Sequence, residues 1–172
     1  MIVSPDSYLF TEAGQYVWSP DRVKAAWRKA MTQLDRVLAD PKFKRLVLMV
    51  GIPASGKSTW LQSNHDADAV YFDATFTGTR QRKPVIEAAR RAGKQVEAVV
   101  MNTPIGVCMD RNRCRSADRM IPDDVVINMA VRLTEQPPSV AEGFDSVRTV
   151  KTGASMARRL VARWYEACTQ VP

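Results

Sequence analysis

One short segment of the chain combines glycines, a lysine and a serine at a spacing that could bind phosphate. Residues 51–58 read GIPASGKS, which matches the pattern G-x-x-x-x-G-K-[ST] in full. Backbone N–H groups of such a loop, and of the helix that follows it, curl around phosphate oxygens. We call residues 51–58 the phosphate loop. The predicted nucleotide-binding residues of this region are Gly51, Ile52, Pro53, Ala54, Ser55, Gly56, Lys57, Ser58 and Thr59.

Two side chains of the phosphate loop have expected roles of their own. Lys57 is expected to reach the β and γ phosphates of a nucleoside triphosphate. The hydroxyl of Ser58 is expected to ligate Mg²⁺. The loop therefore predicts ATP and Mg²⁺ as cofactors, but it says nothing about which group accepts a phosphoryl.

The elements around the phosphate loop predict an α/β fold. Residues 45–50 (RLVLMV) form a continuous apolar run, which is typical of a strand buried on both faces. Strands that alternate with helices imply a parallel sheet covered on both faces. We therefore expect a three-layer sandwich with about five mainly parallel strands. The other predicted strands are IVSPD (2–6), AVYFDAT (69–75), QVEAVVMN (95–102) and SVRTV (146–150).

Capping residues mark the predicted helices. Ser19, Pro20 and Asp21 combine an N-cap, a first-turn proline and an acid, and the helix they start should end near Asp40. Gly93 is a predicted C-terminal stop. The remaining helices are predicted to start at Lys57 and Pro122, or to span Thr79–Arg91, Ile105–Arg119 and Ala154–Cys168.

Composition and charge narrow the class of protein. The chain has 172 residues, of which 45% are hydrophobic, and no apolar run approaches the roughly 20 residues that span a bilayer. We expect no membrane association and a cytoplasmic location. Three cysteines without paired metal spacing favour reduced thiols. The net charge of +7 favours nucleic acid as a partner, although arginines that only bind ATP phosphates would also contribute to it.

The residues after the phosphate loop resemble the polynucleotide-kinase branch of P-loop kinases. Asp73 and Thr75 match that family's Asp-x-Thr strand end, and Arg82 matches a downstream arginine. Residues 111–115 (RNRCR) resemble its R-N-x-x-R lid, and residues 142–145 (EGFD) resemble a segment before its last strand. The resemblance implies an enzyme that transfers the γ-phosphoryl group of ATP to a hydroxyl, with Mg²⁺ present.

The order of the segments departs from the family pattern. The family places a strand, a turn with a general-base aspartate and a helix before the Asp-x-Thr strand. Here residues 61–69 (LQSNHDADA) leave too little room for that unit. Residues 1–43 resemble the same unit relocated to the front, with Asp6 in VSPDSY (3–8) at the aspartate position. The alternative is that residues 1–43 are an added helical arm and that Asp6 is a plain turn residue.

We therefore predict a circularly permuted kinase domain. It would be a single domain over residues 1–172, because a chain of this length suffices for one core. Within it, residues 46–72 would form the phosphate-loop strand and helix, and residues 105–120 an arginine lid.

Four residues carry the predicted catalytic roles: Asp6, Lys57, Asp73 and Arg115. Asp6 would accept the proton of the acceptor hydroxyl. Asp73, at the carboxyl end of a strand, would hold Mg²⁺ or orient Lys57. A structural cap through Thr75 is an equally open interpretation of Asp73.

Two lid arginines are expected to contact the nucleotide. Arg111 and Arg115 are four residues apart, so they would share one face of the predicted helix. Arg115 matches the family's catalytic lid arginine and would clamp the transferring phosphoryl group, while Arg111 assists. A solvated charged face is the alternative. Arg113 and Arg119 receive no such assignment.

The predicted acceptor-binding residues are Tyr8, Tyr16, Trp18 and Arg82. Tyr16 and Trp18 lie in a loop near Asp6 and could stack on a base, although core packing is as compatible with the sequence. Arg82 follows from the resemblance, and a basic helix start is the alternative. The other tryptophans fall within predicted helices, where we expect core packing: Trp27, Trp60 and Trp164.

The leading hypothesis for the acceptor is a hydroxyl on nucleic acid, with DNA favoured over RNA. The chain resembles small phage kinases that phosphorylate 5-hydroxymethyluracil in DNA during thymidine hypermodification, which would place it in the host-cell cytoplasm. A 5′-hydroxyl polynucleotide kinase, a small-molecule or nucleoside kinase and a non-catalytic nucleotide-binding module are the alternatives. The oligomeric state does not follow from the sequence.

Overall fold

The structure is a computed structural model that describes residues 1–152, and its sheet has five strands: β1 (Ile2–Val3), β2 (Arg45–Val50), β3 (Ala69–Asp73), β4 (Gln95–Asn102) and β5 (Ser146–Lys151). Their order across the sheet is β1-β3-β2-β4-β5. Every neighbouring pair is parallel, which confirms the α/β fold and makes the sheet all-parallel rather than mainly parallel. The central strand β2 is the one that leads into the phosphate loop.

Within residues 1–152, five α-helices and two short 3₁₀ helices accompany the sheet. The α-helices are α1 (Pro20–Leu38), α2 (Lys57–Ser63), α3 (Thr79–Arg91), α4 (Ile105–Arg113) and α5 (Asp123–Glu135), and the 3₁₀ helices are Pro5–Tyr8 and Val140–Glu142. The predicted start of α1 is confirmed, because the Ser19 hydroxyl accepts a hydrogen bond from the backbone N–H of Arg22. The bounds predicted for α3 are also confirmed. The helix predicted over 154–168 lies outside the described residues, as does Trp164.

Helices cover both faces of the sheet, as the continuous apolar strands predicted. Leu46 and Leu48 of β2 face one core that α1 and α3 complete. Val47 and Met49, which alternate with them, face a second core that includes Leu61 of α2. This alternation follows from the two-residue period of a strand. None of the helices within residues 1–152 combines the length and the apolar character that crossing a membrane requires.

The short strand β1 lies at one edge of the sheet. It pairs with β3, with Ile2 opposite Tyr71 and Val3 opposite Phe72. The terminal ammonium of Met1 donates to the backbone O of Ala69 at 3.0 Å. This pairing delivers the 3₁₀ helix Pro5–Tyr8 to the carboxyl end of β3, where the phosphate loop also lies.

Candidate active site

The phosphate loop has the backbone conformation of an anion cradle. Gly56 has φ +93°, and Ala54, a non-glycine residue, has φ +60°. A Cβ on Gly51 would lie 2.6 Å from the Ser55 hydroxyl oxygen and 3.1 Å from Met101 Cβ, so a larger residue would force these neighbours to move. Ala54 and Gly56 thus have left-handed backbone conformations, which residues other than glycine rarely adopt. Such conformations often occur in ligand-binding loops.

Lys57, near the end of this loop, is buried. Its ammonium donates to the backbone oxygens of Gly51 at 2.8 Å and Ile52 at 3.0 Å. Burial lowers the pKa of Lys57 to about 8, although the carboxylate of Asp73 opposes the shift. The lysine is therefore held inside the cradle by two weak acceptors, and a bound phosphate would be a stronger partner for it.

Ser58 and Asp73 meet directly. The Ser58 hydroxyl donates to Asp73 Oδ2 at 2.6 Å, and the backbone N–H of Gly51 donates to the backbone O of Thr75 at 3.0 Å. The contact of Asp73 is therefore with Ser58, across the loop, and not with Thr75. A hydroxyl beside a carboxylate is the oxygen-donor chemistry that Mg²⁺ prefers when it keeps several waters. The two residues fit the predicted metal role, and no cluster of three or more histidine, cysteine or acidic residues suited to a metal occurs within residues 1–152.

The structure brings Asp6 close to Asp73 and the phosphate loop. The Ser4 hydroxyl donates to the backbone O of Asp73 at 2.9 Å, which ties the start of the 3₁₀ helix to the end of β3. Asp6 follows two residues later and keeps solvent access. The N-terminal segment thus contributes a carboxylate to the cleft above the phosphate loop.

Charges from three separate segments act on Asp6. Partial desolvation, followed by the negative charge of Asp73, raises the pKa of Asp6 above its ordinary value, while Lys57, Arg119 and Arg115 oppose the rise. A carboxylate whose pKa is moved toward neutrality is a better proton acceptor than an ordinary aspartate. The arrangement can therefore take a proton from a hydroxyl placed between Asp6 and the phosphate loop.

The lid is a loop and not a continuous helix. α4 ends at Arg113, so the prediction of a helix through Arg119 is wrong, and Arg111 and Arg115 do not share a helix face. Asn112 explains the ending: its amide donates to the backbone O of Ile121 at 2.6 Å and accepts from the Ile121 N–H at 3.2 Å. The buried Asn112 thereby closes residues 113–120 into a loop, a role that sequence reasoning missed.

Arg115 lies on this loop and is half-buried. Burial and the neighbouring Arg119 lower the pKa of Arg115, while Asp6 and Tyr16 favour its charged form. Arg111, by contrast, stays on α4, where its guanidinium donates to the backbone O of Ala54 at 3.4 Å. The two arginines thus approach the phosphate loop from different elements, and both are placed at the predicted site.

Two buried polar atoms at the cradle lack partners among the described residues. They are the hydroxyl oxygen of Ser55 and Nε of Arg111. Buried polar groups are normally hydrogen-bonded, and exceptions often mark a site that a ligand completes. Both atoms belong to residues that line the phosphate loop, so they are compatible with a bound phosphate.

A short hairpin between Phe10 and Tyr16 lies near Asp6. Phe10 and Tyr16 pair across it, with ring centroids 5.4 Å apart. The guanidinium of Arg119 lies over both rings, 5.8 Å from Phe10 and 5.7 Å from Tyr16. Burial, and then the charge of Asp6, raise the pKa of Tyr16. Arg119 therefore joins the lid to the hairpin beside Asp6, a role that its sequence context did not indicate.

The aromatic residues predicted to bind the acceptor divide into two groups. Tyr16 lies at the site, and Trp18, which is 62% exposed, is not part of the core. Tyr8 lies against α1, where its hydroxyl donates to Gln33 Oε1 at 3.0 Å.

The core packing predicted for Trp27 is confirmed by its stacking on Phe72 at 5.7 Å, and Trp60 packs against the second core.

Arg82 does not reach the site, so the structure does not support its predicted contact with an acceptor. Its side chain is 0% exposed and forms a bidentate ion pair with Glu142, at 2.8 Å for both contacts. It also donates to the backbone oxygens of Phe76 and Gln136, each at 2.8 Å. These partners occupy Nε and both terminal nitrogens of the guanidinium, which leaves it a structural role between α3 and the segment after α5.

The EGFD segment, residues 142–145, makes contacts of its own with α3, the core and β4. Glu142 holds Arg82, and Phe144 is buried in the core. The Asp145 carboxylate accepts from the backbone N–H of Val96 at 2.7 Å and pairs with Arg90 at 2.9 Å. The three side chains of this segment therefore make structural contacts, one by packing and two by hydrogen bonds and ion pairs.

A family model described as an AAA domain matches residues 65–136. The matched segment is less than half of the chain and begins after the phosphate loop. It contains Asp73, Asn112 and Arg115, and so includes β3 and the whole lid. The match supports a P-loop nucleotide-binding domain of a kinase-like kind. No curated protein matches the chain.

Proposed function

We propose that the chain is an ATP-dependent kinase that phosphorylates a hydroxyl on nucleic acid. The observation that carries the proposal is the convergence of Asp6, Lys57, Asp73 and Arg115 around one phosphate loop. Lys57 belongs to the loop, Asp73 lies 15 residues after it, and Asp6 and Arg115 lie 45 and 57 residues from it. Such a set supplies what phosphoryl transfer asks of a protein, namely positioning, charge stabilisation and a proton acceptor.

The proposed reaction has one bond-forming and one bond-breaking event. The acceptor oxygen bonds to the γ-phosphorus, the bond between that phosphorus and the β–γ bridging oxygen breaks, and ADP leaves. The proton of the acceptor hydroxyl passes to Asp6. Lys57 and Arg115 stabilise the charge of the transferring group, and Mg²⁺, held through Ser58 and Asp73, would neutralise the charge of the phosphates.

The favoured acceptor is 5-hydroxymethyluracil in phage DNA. The resemblance noted in the sequence favours it, and the exposed Trp18 and the Tyr16 ring beside Asp6 support it. An enzyme that acts on a base takes that base out of the stack and holds it between aromatic or apolar side chains. A hydroxymethyl group on a base held there would face Asp6.

We also propose that residues 1–43 are a relocated acceptor unit. β1 pairs in register with β3 and places Asp6 beside Asp73, which supports a circular permutation over an added helical arm. Deleting residues 1–9 should abolish transfer and leave nucleotide binding largely intact. A truncated protein with full activity would refute this assignment.

An acceptor panel tests the proposed function. ATP labelled in the γ position is offered with hydroxymethyluracil DNA, with the same DNA containing thymine, with a 5′-hydroxyl oligonucleotide and with mononucleosides. Label on hydroxymethyluracil DNA alone is expected. Label on every 5′-hydroxyl end identifies a polynucleotide kinase, and label on mononucleosides but not polymer identifies a small-molecule kinase. Label on none of them contradicts the proposal.

A further inference from the structure

A basic surface on α1 lies next to the candidate active site but is not part of it. A cavity of about 640 Å³ lies between α1 and the 3₁₀ helix Pro5–Tyr8. Its charged lining residues are Arg28, Lys29 and Arg36, all exposed. Of the described residues that line it, none is acidic. We call these three cations the α1 track.

Among the described residues, no direct ion pair offsets the charges of the three cations, although Asp35 precedes Arg36 on α1. Within residues 1–152, none of the three forms an ion pair with a carboxylate. Arg45, Arg82, Arg90 and Arg113 all do so. Unpaired like charges on one face create a positive potential that attracts polyanions.

The spacing of the track suits a repeating anion. Arg28, Thr32 and Arg36 recur every four residues and so line one stripe of the helix. Arg28 and Arg36 are about 12 Å apart along the helix axis, given a rise of about 1.5 Å per residue. The phosphates of one strand advance by about 3.4 Å each along the axis of a duplex, so a stripe of this length is long enough to meet more than one phosphate.

The track ends at the segment that carries the proposed base. Tyr8 donates to Gln33 of α1, and the ammonium of Lys29 lies 5.9 Å from the centre of the Tyr8 ring. Tyr8 and Asp6 belong to the same 3₁₀ helix. A nucleic acid lying along α1 would therefore reach the 3₁₀ helix that carries Asp6. The charges that act on Asp6 come from Asp73, Lys57, Arg119 and Arg115 and not from the α1 track, so a mononucleoside bound at Asp6 would use a different set of cations.

We propose that the α1 track binds the phosphodiester backbone of the acceptor strand and so selects polymer over mononucleoside. This inference rests on the proposed function for its biological use, but it concerns a separate binding surface. Direct contacts of three cations predict a salt dependence with a logarithmic slope of about −2.7 on duplex DNA or about −2.1 on a single strand. The slope for the whole protein also includes contacts elsewhere, so the difference between variants is the informative quantity.

A pair of triple variants tests the track. The track variant carries Arg28→Ala, Lys29→Ala and Arg36→Ala. The control carries Lys44→Ala, Lys83→Ala and Arg91→Ala, three exposed cations outside this cavity, and so has the same net charge. Fluorescence anisotropy with a labelled oligonucleotide, over a series of salt concentrations, measures affinity and slope. ATP binding by each variant confirms that the fold is intact.

The track variant should lose at least tenfold in oligonucleotide affinity, and its salt slope should be shallower by about two to three. The control should lose much less, and both variants should bind ATP normally. Equal affinities of the two variants would overturn the proposal. Wild-type protein that binds polyglutamate as tightly as DNA would overturn the assignment to nucleic acid.

The outcomes also separate this inference from the proposed function. Wild-type protein that binds DNA through the track but labels no acceptor leaves the track standing and removes the kinase. Wild-type protein that labels acceptors while the track variant has an unchanged KM for oligonucleotide leaves the kinase standing and removes the track.

Discussion

Nucleotide binding should make Lys57 take up a proton. In the free protein its ammonium is buried, and among residues 1–152 it donates to two backbone oxygens of the phosphate loop. Burial lowers the pKa of this group to about 8. A triphosphate in the cradle would place negative charge against the ammonium, which favours the charged form and raises the pKa again.

The size of the uptake follows from that value. With a pKa of about 8, half of the lysines carry the proton at pH 8 and about nine-tenths carry it at pH 7. If the bound form is fully protonated, binding takes up about 0.5 proton per nucleotide at pH 8 and about 0.1 at pH 7. Affinity should be about fivefold weaker at pH 9 than at pH 8, because the charged fraction falls from about one half to about one tenth.

Calorimetry measures this uptake directly. A non-hydrolysable ATP analogue with Mg²⁺ is titrated at pH 8 in two buffers whose ionisation enthalpies differ, and the difference in heat gives the number of protons. Asp6→Asn is the matched control and should keep the uptake, while Lys57→Met should lose it together with most of the affinity. No uptake by wild-type protein at pH 8, or loss of uptake in Asp6→Asn, would refute the assignment to Lys57.

Three further outcomes test other parts of the structure. Arg82→Met should lower the free energy of unfolding, measured with denaturant, by about 3–5 kcal/mol, because Glu142 is left without its partner. Adding Glu142→Gln should recover part of that loss. An Arg82→Met protein of unchanged stability that binds the acceptor more weakly would instead support the role predicted from the sequence. Asn112→Ala should lower kcat more than it weakens ATP binding, because the loop that places Arg115 loses both hydrogen bonds that close it; an unchanged kcat would contradict this. Asp6→Asn should raise the melting temperature of the ligand-free protein at pH 7, because the pKa of Asp6 is raised on folding and its ionised form therefore weakens the folded state. That gain should vanish well below the ordinary carboxyl pKa, where the wild-type residue is protonated too, and a gain that persists there would point to a different cause.

The sequence was informative wherever the signal was local. The bounds predicted for β2 and β4 are confirmed, and the Ser19 cap marked the start of α1. The phosphate loop was recognisable because its backbone geometry needs glycines at fixed positions. The expectation that the N-terminal segment supplies a strand came from the family resemblance, because the gap between α2 and β3 has no room for the strand and helix that the family has there.

The lid and Arg82 depended on contacts that no local pattern reveals. Arginine is a good helix former, so residues 105–119 read as one helix. The side chain of Asn112 instead bonds Ile121, nine residues on, and turns the chain back. Arg82 finds its carboxylate 60 residues away in Glu142. A basic residue therefore has the same appearance in the sequence whether it is buried in a clamp or faces a ligand.

The placement of Arg119 shows the same limit. Its guanidinium lies over rings contributed by Phe10 and Tyr16, which are more than 100 residues earlier in the chain. The pairing exists only because β1 carries the N-terminal segment to the edge of the sheet beside β3. The strand order of the sheet brings these aromatic and basic residues together. Neither segment alone indicates this contact.

A single-turnover transfer assay tests most directly whether the N-terminal segment completes the active site. Wild-type, Asp6→Asn and Asp118→Asn proteins are saturated with labelled ATP and Mg²⁺, and hydroxymethyluracil DNA is then added. Asp118 is an exposed acid of the lid and serves as the matched control. Asp6→Asn should bind ATP at least as tightly as wild type and transfer about 10²–10⁴ times more slowly, while Asp118→Asn transfers at nearly the wild-type rate. Transfer by Asp6→Asn at the wild-type rate would contradict the proposed site.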